Sequence, residues 1–106
     1  MVHITYNRDS HSLRLRGHAG ADEPGKDPVC AAVSALTLTL AYNVTQLASQ
    51  GNVSRPEIRL EQGDSAIRCY SRGRSKPVVT LMFDTVCTGF ELLQSLYPDM
   101  VDYRVY

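Results

Sequence analysis

Val78-Val79-Thr80-Leu81-Met82-Phe83-Asp84-Thr85-Val86-Cys87-Thr88-Gly89-Phe90-Glu91-Leu92-Leu93-Gln94-Ser95-Leu96-Tyr97 can be read in two ways. Its first six residues are apolar and β-branched enough to make a strand. The whole segment, however, keeps Val79, Met82, Phe83, Val86, Phe90, Leu93 and Tyr97 on one helical stripe, a period no strand provides. Ser75 and Pro77 supply a helix start, and Pro98 a stop. Gly89 inside it costs about 1 kcal/mol relative to alanine, which does not reverse the assignment. The segment is read as a helix, so the chain has two.

The other helix is announced by Asp27-Pro28, a favoured N-cap followed by a favoured first helical residue. Pro28 also biases Asp27 away from helical dihedrals, as a cap requires. Val29, Val33, Leu36, Leu40, Val44 and Leu47 follow at helical spacing, with Gly51 just beyond the end, which predicts a helix over 28–49. Before it, Val2, Ile4 and Tyr6 alternate with polar residues, as do Leu13 and Leu15, giving a hairpin around Arg8-Asp9-Ser10-His11. Glu57 to Leu60 and Ser65 to Tyr70 read as strands around Gln62-Gly63-Asp64, and Val101, Tyr103 and Val105 as a closing strand. The order is ββαββαβ. An α+β two-layer sheet-and-helix single domain is the packing that buries one face of each element.

With 106 residues, one domain is expected. Eleven basic residues balance eleven acidic ones, so the basic excess of a nucleic-acid grip is missing, and no direct nucleic-acid partner is expected. Arg68, Arg72 and Arg74 read as a solvated strand-and-loop face. No unbroken apolar run of about 18 residues is present, so no membrane span is expected. The alternating start is unlike a secretory signal. Cys30, Cys69 and Cys87 are an odd number without a Cys-x-x-Cys pair. That argues against a disulfide framework or a structural zinc site and suits a reducing cytosol. Cys69 and Cys87 read as core residues, and His3 and His11 as exposed ones.

Chemistry concentrates between Gly17 and Ser34. Cys30 falls near the third residue of the first helix, where unpaired amides and the macrodipole favour a thiolate. His18, at the end of the second strand, precedes a Gly- and Pro-containing loop, 17 to 26, that could fold it over the helix start. Taken singly, Cys30 would be a buried hydrophobe and His18 a turn residue. Together they form the minimal nucleophile-and-base pair for acyl transfer. Asp27 and Ser34 share the helical face of Cys30. Asp27 either caps the helix, the preferred reading, or turns to orient His18. Ser34 either bonds the thiol or a substrate, or bonds back to the Cys30 carbonyl.

Gly17-His18-Ala19-Gly20 followed by Gly25-Lys26-Asp27-Pro28-Val29-Cys30-Ala31-Ala32-Val33-Ser34-Ala35-Leu36 resembles the signature of the ribosomal-processing cysteine protease family Prp, also called YsxB-like. The opening strand and the run Gly89 to Leu93 with Tyr97-Pro98 are similar to that family as well. The resemblance implies a bacterial, cytoplasmic, homodimeric endopeptidase in which Cys30 and His18 form the catalytic dyad, with Asp27 and Ser34 supporting. It also implies removal of an N-terminal extension from large-subunit ribosomal protein twenty-seven during ribosome assembly, or processing of capsid or scaffold proteins by phage relatives.

On this reading residues 1–106 are one cysteine-protease domain needing no metal or cofactor. Gly17, Ala19, Gly20 and Gly25 belong to a substrate-gripping loop, mobile until peptide binds. Cys30 attacks as thiolate, His18 carries the proton, and amides at the start of the first helix are the expected oxyanion donors. The rival reading is a non-catalytic module that binds a ribosomal or assembly protein on the same surface.

Overall fold

The structure, a computed structural model, describes residues 1–18 and 27–106. Its elements are β1 (Val2–Asn7), β2 (Ser12–Gly17), α1 (Pro28–Ser49), β3 (Ser54–Glu61), β4 (Asp64–Tyr70), α2 (Ser75–Leu96) and β5 (Val101–Val105). The order is the expected ββαββαβ. Five strands make one sheet in the order β3-β4-β2-β1-β5. All neighbours are antiparallel except β1 and β5, which run parallel. The alternating residues Val2, Ile4, Tyr6, Leu13, Leu15, Ile67, Cys69 and Val101 all point into the core. Both helices close that face, supplying Val29, Val33, Leu40 and Val44 from α1 and Val79, Phe83, Val86, Cys87 and Phe90 from α2.

Gly89 has a role that its helix cost conceals. A Cβ there would stand 2.7 Å from a methyl of Leu36, so its absence lets α2 approach α1 at that turn. Thr37 is buried among apolar neighbours because its hydroxyl bonds back to the Val33 carbonyl at 2.7 Å. Tyr97 departs from the expected stripe: α2 ends at Leu96 and Tyr97 is exposed. β3 begins earlier than expected, because one extra residue is absorbed between Ser54 and Glu57, beside Arg55 at φ 49° and Pro56. α1 carries no charged residue, and its best 18-residue window has a mean hydropathy of 1.4, so it is long and apolar enough to cross a membrane by length and composition. Threonine, serine and asparagine interrupt its apolar run, and its buried stripe faces the sheet.

His11 corrects a second expectation, since it is only 3% exposed. Its ring stacks on Phe83 at 5.5 Å, with Nε2 bonded to Thr80 Oγ1 at 2.8 Å and Nδ1 to Ser71 Oγ at 3.2 Å. Beside it the Tyr6 hydroxyl donates to Asp84, and the Arg8 guanidinium grips both oxygens of the same carboxylate. These bonds tie β1 and the start of β2 to α2. The Arg8 bond holds the Asp84 carboxyl below its usual range despite partial desolvation. Burial, helped by the Lys76 charge and opposed by Asp84, pushes the His11 pKa down.

The sign of the linkage follows. As pH falls through about 6.5, the unfolded chain takes a proton at this position before the folded one does. Stability is therefore lost on the acid side. Melting curves from about pH 8 to pH 5 should show this loss in the wild type and a smaller one in His11→Gln, which can keep one of the two hydrogen bonds. Parallel pH dependence in the two proteins would remove His11 as its source.

Candidate active site

Three elements meet at the end of the sheet opposite His11. β2 finishes at Gly17, paired with Val2, and passes directly into His18. Gly17 has φ +91°, and a Cβ there would strike the Met1 carbonyl oxygen, so glycine is required for the strand end to lie against β1. α1 contributes its first turns, and the β3–β4 turn closes the third side. Together they enclose a pocket of about 430 Å³. His18, Asp27, Cys30, Ser34 and Gly17 all line it. Ala19, Gly20 and Gly25, with the expected mobility of their loop, lie outside the described residues.

Asp27 starts α1 as expected. Its extended backbone, φ −80° and ψ 114°, is what a residue before proline adopts, and its Oδ1 accepts from the amides of Val29 at 2.8 Å and Cys30 at 3.2 Å. A cap of this kind contributes about 1 kcal/mol. It also overturns one expectation. Pro28 has no N–H, the Val29 and Cys30 amides are on the Asp27 carboxylate, and the Ala31 amide is on the Asp27 carbonyl at 3.0 Å. The first turn of α1 therefore has no amide left to serve an oxyanion.

Ser34 offers a different donor. Four other hydroxyls of α1, on Thr37, Thr39, Thr45 and Ser49, bond to carbonyls of the preceding turn. Ser34 does not. Among the described residues its hydroxyl has no hydrogen-bond partner, and it lines the pocket one turn beyond Cys30. Cys30 is half-buried, and His18 is exposed. No hydrogen bond joins them among the described residues, a looseness common in sites without substrate.

The remaining walls were not picked out in the sequence. Val2 and Leu15 come from the sheet, Val33, Thr37 and Leu38 from α1, Leu60 and Glu61 from the end of β3, Gln62 and Gly63 from the turn, and Asp64 and Ser65 from the start of β4. Gln62-Gly63 is legible as a turn, but nothing local indicates that it faces His18. Cys69 and Cys87 are core residues, as expected, and burial pushes each thiol up to about 11.

A family model described as cysteine protease Prp matches residues 1–102. Among solved structures, the chain is similar to an essential ribosomal processing protease Prp from S. aureus in complex with a covalently linked product peptide. The identity is 24%, with a TM-score of 0.77 over 99% of this chain and 97% of that one. A second structure of the S. aureus protease, with a substrate peptide, matches at 23% identity and TM-score 0.71, with both chains covered in full. SMU.848 from Streptococcus mutans matches at 26% identity and TM-score 0.66, over 98% of this chain and 90% of that one. A search of curated proteins returns no match.

The burial contrast gives a test of the thiols. A small alkylating reagent in limiting amount should label Cys30 well before Cys69 or Cys87, as read by peptide mapping of the native protein. Labelling of either buried cysteine at the same rate would contradict the placement of Cys30.

Proposed function

The chain belongs to the cysteine protease Prp family, whose model spans residues 1–102, and we propose that Cys30 is its nucleophile and His18 its proton carrier. The observation that carries this reading is that one pocket is lined by a half-buried thiol, an imidazole and the hydroxyl of Ser34. The Cys30 thiolate attacks the scissile carbonyl carbon, forming a C–S bond and an oxyanion. The Ser34 hydroxyl donates to that oxyanion, in place of the helix amides that Asp27 occupies. His18, holding the proton taken from the thiol, delivers it to the leaving amine as the C–N bond breaks. Water then hydrolyses the thioester, with His18 taking its proton and returning one to sulfur. Asp27 supports the site by fixing the start of α1.

Residues 1–106 act as one protease domain on this reading. The pocket wall of Val2, Leu15, Val33, Leu38 and Leu60 suits an apolar side chain next to the cleaved bond. The substrate is the N-terminal extension of large-subunit ribosomal protein twenty-seven, cut in the bacterial cytoplasm by a homodimer. The family match supports this, as does the ribosomal-processing role of the similar S. aureus protease.

Incubation with the N-terminally extended ribosomal protein of the same genome, read by intact mass, tests both chemistry and substrate. The wild type should release the extension and Cys30→Ala should not. Loss of the proton carrier in His18→Ala should slow cleavage by about 10²–10⁴-fold. Ser34→Ala should lower kcat by about 10²-fold with a smaller change in KM. Turnover by Cys30→Ala would refute the mechanism. Cleavage of a phage capsid or scaffold protein but not of the ribosomal one would refute the substrate alone.

A further inference from the structure

The β3–β4 turn, whose flanking Glu61 and Asp64 line the same pocket as His18, brings bare backbone against the imidazole. A Cβ built on Gly63 would stand 2.8 Å from His18 Nε2, 3.1 Å from Cε1 and 3.6 Å from Cδ2. The imidazole thus rests on the face of Gly63 where any other residue would carry its side chain. The same glycine reaches the backbone just before His18, because its carbonyl accepts from the Gly17 N–H at 2.9 Å. One residue therefore holds both the strand end that delivers the histidine and the ring itself. His18 is exposed and has no hydrogen bond among the described residues, and its contact with Gly63 is one that constrains the ring.

We propose that Gly63 is a positioning residue for proton transfer, providing the seat that fixes the His18 ring in the pocket it shares with Cys30. The inference rests on the reading of His18 as proton carrier. A methyl group at Gly63 meets the far end of a side chain, not another backbone segment, so the clash is relieved by moving the imidazole while the hairpin stays in place. The stability cost is then mainly that of the left-handed backbone at φ +76°, and the functional cost falls on the histidine.

Two other glycines make the control. Gly51 at φ +78° and Gly73 at φ +57° carry similar backbone demands, with nothing within 4 Å of a built Cβ. Gly51→Ala, Gly63→Ala and Gly73→Ala should therefore lower the melting temperature to a similar extent. Only Gly63→Ala should reduce kcat for cleavage, by about tenfold or more, with little change in KM, as misplacement of a catalytic group does. Only Gly63→Ala should also shift the pH–rate profile of Cys30 alkylation toward that of His18→Ala. This second readout needs no substrate, and a purely structural role would leave it unmoved.

Gly63→Asn guards against a poorly folded alanine variant, because asparagine tolerates positive φ but still carries the Cβ. It should regain stability without regaining activity. The seat is refuted if Gly63→Ala keeps the cleavage rate and alkylation profile of the two control variants, or if Gly63→Asn restores both. If His18→Ala itself changes neither cleavage nor alkylation, the proton-carrier reading fails, and that outcome is separate from failure at Gly63.

Discussion

Asp27 closes the first turn of α1 by accepting two amides on one carboxylate oxygen, and the placement of the reactive groups depends on that closure. An α-helix turns about 100° per residue, so its starting residue decides which side chains face which way. With Asp27 as the cap, Val29, Leu40 and Val44 point into the core while Cys30 and Ser34 line the pocket. A start displaced by one residue would rotate the thiol away from the pocket and misplace an apolar anchor. The capping bonds also remove the donors that a helix start would otherwise offer to an anion. Among the described residues the Ser34 hydroxyl, one turn further on, has no hydrogen-bond partner.

β2 carries a histidine at each end, and the two do opposite things. His11 is buried against Phe83 and fixed through both ring nitrogens. His18 is exposed and rests on backbone. The Tyr6–Asp84–Arg8 cluster and the stacked rings of Tyr6 and Phe83 lock the far end of the sheet to α2. α2 is joined in turn to α1 where Leu36 fills the space left by Gly89. The site end thus presents an exposed imidazole on a scaffold whose other end is firmly clamped.

Much of this arrangement was legible because it is local. Asp27-Pro28 marks the helix start within one residue, alternation marks the strands, and one long stripe identifies α2. What escaped the sequence was made by partners far along the chain. His11 looks like turn material until Phe83 and Thr80 cover it. Gly63 looks like an ordinary hairpin glycine until β2 delivers His18 onto it. The amides of the first α1 turn look available until one carboxylate is seen to take two of them. In each case the residue types were visible and their pairing was not.

β3 is an edge strand, exposed along its whole length. Such a strand is a template on which another chain can zip up into an aggregate. Here Pro56 withholds a donor, the extra residue near Arg55 bends the edge, and Glu57, Arg59 and Glu61 place alternating charge along it. These are negative features that blunt sheet growth without burying the strand. The hairpin keeps Leu60 and Gln62, which line the pocket beside His18, exposed. Protection against edge-to-edge aggregation and a wall of the pocket come from the same strand. A substitution that straightened it, such as replacing Pro56 with a β-branched residue, would favour aggregation at the very edge that flanks the pocket.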